Sequence, residues 1–544
     1  MAERGVFFAG GTVLTGDPRR PRVDAVAVAG GRVVALGAEA RDRVGVGVEV
    51  VDLAGRSLVP GFRDGHLHPL WGGTALLDAP IVDAVDVADV LERVRGFAEA
   101  HPGLPWITGA GYPPEILPGG IGLASVLDSA VADRPVALWA SDHHTMWVNS
   151  AALAAAGIDA RTSDPPRGII ARAGDGTPVG TLLEDATALV ERHLPVRSRA
   201  ELGRGLTLAL ARMAAAGIVA GQEAALEPEN LAVYLDLAVA GRLTADVSIA
   251  LRVDPARWQA QRPEFLAVRE AAERAAAELG DAPTGRVRVP NVKFFADGVI
   301  EMGTGALLEP YSDDPSSRGI PNWSSEELAE AAAAFDADGF SSHIHALGDA
   351  GVRMALDAVA HTRRRNGAAD RRPVVAHTQL VHPDDLRRFA ALGAVANFEP
   401  LWAQRNEIMT ELTEPRLGPE RSNRQYPIAE IVRSGALVSF GSDWPVSSMV
   451  PLEGIAVALT RQTPDGHPPA GWLPQQRVAL DTALSAYTRG VATQLFDDDR
   501  GTITVGAPAD LALLGADISR LPGAELAAVA VEGTWLGGTA VHRG

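Results

Sequence analysis

Short apolar runs separated by glycine pairs open the chain. GVFFAGGTVLT, DAVAVAGGRVVALG and GVEVVDLAGRSLVP read as strands joined by turns. The last forty or so residues return to this texture in GTITVGAPADLALLG and AAVAVEGTWLGGTAVH. Neither end carries enough apolar surface for a core of its own. The expectation is a composite β-sandwich built from residues 1–59 and 501–544.

Between these ends the pattern changes to short apolar runs alternating with long helical stretches, the mark of parallel β/α architecture. Eight runs qualify as strands. They end near His66, Glu223, Val253, Asp297, His345, His377, Glu399 and Asp443. Helical spacing is clear over 325–336, 350–366 and 428–434. The expected fold is therefore a (β/α)8 barrel over residues 60–500. The interval 75–200 is too long for one loop and is expected to be an inserted subdomain after the first strand.

Composition removes several function classes. The 49 basic and 68 acidic residues give a formal charge of -19, which repels a nucleic-acid backbone. The basic clusters Arg363–Arg365 and Arg371–Arg372 lack interleaved aromatics and read as solvated helix ends. With no cysteine, disulfides, thiolate ligands and cysteine nucleophiles are excluded. No uninterrupted apolar stretch reaches the length of a membrane span, and no signal-like run opens the chain. A cytoplasmic protein with no membrane partner is expected, and a homodimer is entertained as its assembly.

The first barrel strand ends in Asp64-Gly65-His66-Leu67-His68. Residues two apart on a strand share a face, so both imidazoles can address the C-terminal mouth of a barrel. Three further strand ends carry His345, His377 and Asp443. A carboxylate such as Asp443 is costly to bury without a cation. Together these residues describe a hydrolytic metal site. His343 and His345 share a strand face, and the pattern does not choose between them. Lys293 interrupts the apolar run VPNVKFFAD, where it either snorkels at the rim or points inward with a depressed pKa.

With these motifs in order, the chain resembles the amidohydrolase superfamily. Within it, the chain is similar to the YtcJ-like and exoenzyme-regulatory-protein-like metal-dependent hydrolases that include N-substituted formamide deformylase. The resemblance runs through PGFRDGHLHP, HHTMWVNSAAL at 143–153, GDGTPVGTLLEDA at 174–186, KFFADGVIE at 293–301, HALGDA at 345–350, AHTQ at 376–379, GSDWPV at 441–446 and GAPADLALL at 506–514. It implies hydrolysis of a carbon–nitrogen bond in a small-molecule amide, N-substituted formamide or cyclic amide. An esterase or lactonase using the same chemistry, or a noncatalytic binding protein on the same scaffold, are the alternatives.

The resemblance assigns His66 and His68 to a more buried ion and, choosing His345 over His343, His345 and His377 to a second. Lys293 becomes a carboxylated lysine bridging two divalent ions, zinc by default. Asp443 becomes a ligand of the first ion and the proton shuttle. Substrate-side candidates are His144, Trp147, Tyr112, Glu184, Glu399, Trp402 and Trp444. For several of these, packing competes with substrate contact. Glu223 and Glu399 stand where relatives often carry aspartate and glutamine, and neither is assigned a specificity.

Overall fold

The computed structural model describes residues 5–43, 47–280 and 285–544; residues 1–4 and 44–46 of the expected terminal domain and 281–284 of the expected barrel thus lie outside it. Eight strands follow one another in sequence order around a single parallel sheet. They are Phe62–Leu67, Ile218–Leu226, Asp246–Arg252, Val287–Phe295, Ser341–Ala346, Val374–His377, Val395–Phe398 and Val438–Phe440. The first and eighth close the ring just past their ends. There Asp443 N–H donates to the His66 carbonyl at 2.7 Å and His68 N–H to the Trp444 carbonyl at 2.8 Å.

All eight apolar runs form strands, but the last stops three residues short of Asp443. Asp443 and His377 both adopt left-handed backbone, φ 54° and 71°, where the chain leaves the sheet. Helices cover the outside. Arg199–Ala215 and Ser325–Ala337 each begin in a capping box, Ser198 with Glu201 and Ser324 with Glu327. Phe265, Phe294, Phe335 and Phe340 interlock between barrel and helices, with Phe265 and Phe335 rings 5.5 Å apart.

The termini meet in one separate sheet. Ser57–Pro60 pairs antiparallel with Leu511–Leu514, so N- and C-terminal segments become neighbours. Phe8, Val26, Leu58, Leu513 and Trp535 fill its core. Gly61 carries the chain from this sheet into the barrel, where a Cβ would press on Val219 at 2.7 Å. A buried ionic network fastens the junction. Arg63 reaches Asp497 at 3.2 Å and Asp510 at 2.8 Å, while Arg500 links Asp510 to Asp246.

Between the first and second barrel strands the chain builds a five-stranded sheet. Its order is Gly168–Arg172, Pro178–Glu184, Thr145–Val148, Val136–Ala140 and Ile107–Tyr112. Val87–Ala100, capped by Asp86, packs Val90 and Val94 into the core beside it. This insertion overhangs the barrel mouth. Among the described residues, no helix is long and apolar enough to cross a membrane.

Candidate active site

The strand ends bring His66, His68 and Asp443 together with one donor atom from each within 4.8 Å of the others. Asp443 Oδ1 lies 3.3 Å from His66 Nε2 and 3.1 Å from His68 Nε2, yet it is buried without a hydrogen bond. Burial, and then Lys293 beside it, push the His66 imidazole well below its usual range. Neutral imidazole is the form that binds a cation. Three converging donors with an orphaned carboxylate oxygen between them fit a metal ion.

Lys293 points inward. Its Nζ is 3.2 Å from His66 Nε2 and 4.8 Å above the Phe295 ring, and burial pushes the amine down to about 7. His345 and His377 stand beside this group, their ring centroids 4.6 Å apart and His377 also 4.6 Å from His66. His343 and His345 differ in depth. His343 Nε2 sits 2.9 Å from His66 Nδ1, behind the donors, whereas His345 lines the cavity above them.

The two departures acquire roles. His377 Nδ1 lies 2.9 Å from Glu399 Oε2, and its ring stacks on Trp402 at 5.4 Å. His68 Nδ1 lies 3.5 Å from Glu223 Oε1; Tyr234 O–H and Leu70 N–H also donate to Glu223. Each carboxylate lies against one nitrogen of an imidazole, which fixes the ring and leaves the other nitrogen to face the cluster.

Four substrate-side expectations are corrected. Glu399 is fully buried behind His377 and does not line the cavity. Trp147 and Tyr112 pack edge-on at 5.6 Å inside the insertion's core, with Trp147 Nε1 donating to the Leu123 carbonyl. Strand alternation turned them inward, and their aromatic character carried no information about which face they take. Trp444 is buried over Gly72, where the absence of a Cβ admits its ring.

Trp402, His144 and Glu184 do line a cavity of about 1150 Å³ between barrel mouth and insertion. His144 Nδ1 is 2.8 Å from Glu184 Oε2, and the ring is 5.1 Å from that of His345. Burial alone would lower His144, but Glu184 overrides it and brings the imidazole up to about 9. Asp142 clamps this turn by accepting from the N–H groups of His144 and Thr145 at 2.9 and 3.0 Å.

Sequence reasoning passed over Trp71, Trp139, His143 and Glu301, which also line the cavity. Trp71 was within reach, since it stands three residues past His68 at the start of the helix Pro69–Ala75. His143 and Glu301 lie inside the motifs at 143–153 and 293–301, whereas Trp139 carries no local signal. Burial pushes the Glu301 carboxyl up to about 7.

Comparison with known proteins places this geometry. Residues 49–542 match the amidohydrolase family. The chain is 27% identical to "Putative amidohydrolase YtcJ" of Bacillus subtilis (strain 168), covering 98% of this chain and 99% of that protein. It is 24% identical to "N-substituted formamide deformylase" of Arthrobacter pascens, over 94% of each. A crystal structure of an uncharacterized metal-dependent hydrolase from Pyrococcus furiosus shares the fold. Its TM-score is 0.69 at 22% identity, covering 93% of this chain and 98% of that one. With the family matched across most of its length, this chain belongs to the amidohydrolase family.

Proposed function

We propose that this protein hydrolyses the carbon–nitrogen bond of a small-molecule amide, an N-substituted formamide above all. The observation that carries the reading is the convergence of His66, His68 and Asp443 around an Asp443 oxygen with no hydrogen bond. Similarity to a formamide deformylase over 94% of the chain supports the substrate class. His66, His68 and Asp443 would hold one divalent ion, His345 and His377 a second. Zinc is our choice because amide hydrolysis needs a Lewis acid and no redox chemistry.

Such an ion, when bound, would lower the pKa of water toward about 7 and polarise the scissile carbonyl. Asp443 takes the proton of the attacking water and passes it to the leaving nitrogen. Glu399 and Glu223 keep His377 and His68 in one tautomer. Lys293, buried and with a lowered pKa, is a free amine above about pH 7. That amine could take up CO₂ with loss of a proton, and the resulting carbamate would supply oxygen ligands that an ammonium cannot. His144, held by Glu184, presents a hydrogen-bond donor from the insertion side of the cavity.

The test is metal content by mass spectrometry together with release of amine from a panel of N-formyl and N-acyl amines. Two ions per chain and turnover that disappears on chelation are expected. A zinc-loaded protein inert to the whole panel would overturn the reading.

A further inference from the structure

Arg252 ends the third barrel strand as the register partner of Lys293 on the fourth. Opposed residues of a parallel pair project to the same face, so the arginine side chain, like that of Lys293, addresses the cavity. Its guanidinium carbon lies 5.6 Å from the centre of the Phe295 ring. The same ring has Lys293 Nζ at 4.8 Å and the His345 ring at 5.1 Å. Arg252 therefore stands one phenyl ring away from both Lys293 and His345.

The backbone that carries this guanidinium is fixed, while the guanidinium itself is loosely partnered. Behind it the buried Gln261 side chain donates to the Arg252 carbonyl at 3.2 Å and accepts from the Asp254 N–H at 2.8 Å. Glu227 is the carboxylate that faces Arg252, at 3.5 Å, and the two side chains are 56% and 43% exposed. An exposed pair at that distance contributes little, which leaves the guanidinium free for a better-placed acceptor. Asp254, the other carboxylate of this wall, is turned to the Ala256 N–H at 2.8 Å. Arg257 lines the same wall and forms no ion pair among the described residues. It opens the helix Trp258–Leu279, whose first turn carries no side-chain cap, so the free N–H groups there add to the positive potential.

We propose that Arg252 is a substrate-binding residue that takes a carboxylate, so that the substrate class is an amide carrying a carboxylate away from the scissile bond. A guanidinium offers two parallel N–H groups to the two oxygens of a carboxylate, and Arg257 adds a second positive charge along the wall. With the scissile bond at His66, His68 and Asp443, Phe295 lies between the reacting end and the carboxylate and packs against the carbons that join them. This deepens the amide-hydrolase reading and rests on it for the bond that is cleaved, but not for the group that Arg252 binds. Either half of the amide can carry the carboxylate, and the test covers both.

The experiment uses full-length, zinc-loaded protein carrying D443N, so that binding is measured without turnover. Calorimetric titration compares N-formyl-β-alanine with N-formyl-β-alaninamide, and succinamate with succinamide; each pair sets a carboxylate against a carboxamide of the same shape. In at least one pair the carboxylate is expected to bind about tenfold more tightly, the scale of a charge-assisted contact discounted for exposure. The gap should narrow as salt is raised. R252Q should erase the preference and R252K should keep part of it, while E227Q, which removes the competing carboxylate, should widen it. R252Q should hold as much zinc as the parent and melt within about 2 °C of it, because an exposed side chain with one long ion pair is all that changes. No preference in either pair, no binding of any probe, or a preference that survives in R252Q, as direct binding of the carboxylate to zinc would give, would overturn the proposal. So would loss of zinc from R252Q, which would make Arg252 a support of Lys293 and not a contact of the substrate. If the preference depends on Arg252 but protein with Asp443 intact turns over none of the probes, the hydrolase reading fails while the binding role stands.

Discussion

Replacing Glu399 by glutamine tests whether a buried carboxylate tunes, through His377, the second ion that we propose this histidine helps to hold. Glu399 Oε2 lies 2.9 Å from His377 Nδ1, and its other oxygen has no hydrogen bond. His377 is braced from its face by Trp402, with the rings only 7° from parallel. In E399Q the amide oxygen still accepts from Nδ1, so the ring keeps its place and only the charge is lost. A charge-assisted hydrogen bond is about twice as strong as a neutral one, so the change costs about 1–1.5 kcal/mol. Since 1.4 kcal/mol is a factor of ten, zinc bound through His377 should weaken by about tenfold, the lower end of what loss of such a partner does. E399A, which also frees the ring, should approach a hundredfold. Competition with a zinc chelator, read separately for the two ions, measures both. Unchanged zinc affinity in E399Q and E399A alike would refute the argument.

D443N should retain most of its metal while turnover falls by at least about a hundredfold, the scale of acid–base assistance; near-parental turnover removes Asp443 as the shuttle. K293A should lose one or both ions, and a full complement of metal in that variant dismisses Lys293 as a bridge. Because Lys293 is lowered to about 7, carboxylation should need less added bicarbonate at pH 8 than at pH 6, read from zinc uptake; the reverse order contradicts the free-amine account. Glu301, raised from 4.5 to about 7, binds more protons folded than unfolded across that window, so its contribution to stability is lost as pH rises from about 4.5 to 7. E301Q should therefore gain in melting temperature over the parent at pH 8 relative to pH 5. The limit is on the order of 3 kcal/mol, less where water reaches the carboxyl; an equal gap at both pH values rules this out.

The parts of the site legible in the sequence are those where a ligand-capable residue stands at a strand end. His377 closes the apolar run Val374–Ala376, whereas His66 and His345 stand next to last in strands whose buried residues include Arg63 and Asp64 in one and Ser341, Ser342 and His343 in the other, so their strand-end position, more than an apolar run, pointed to the site. Apolar runs located the eight strands, because parallel strands buried on both faces read as largely apolar stretches. Glu399 and Glu223 were visible as carboxylates but not as partners of His377 and His68. That pairing depends on neighbouring strands reaching the same height in the barrel. Tyr112 and Trp147 show the opposite failure: an aromatic near a motif suggests a wall, and only the packing of the inserted sheet reveals that both rings face its core.

The division of labour follows from what each layer can hold still. His66 sits on the first strand, while His68 and Asp443 lie just past the ends of the first and eighth, where Asp443 N–H donates to the His66 carbonyl and His68 N–H to the Trp444 carbonyl, which holds the three donors in register. The insertion supplies His143, His144, Glu184 and Trp139 from strand ends and one turn, and each touches the cavity without supporting the barrel. Glu184 adopts left-handed backbone, φ 51°, to reach His144, and its second oxygen rests where Gly298 leaves room beside the strand that carries Lys293. The insertion is thus docked to the barrel through the site itself. A substitution at Gly298 or Glu184 should shift substrate preference before it disturbs the His66, His68 and Asp443 cluster, because the contact it breaks lies above the donors and on the substrate's side of them.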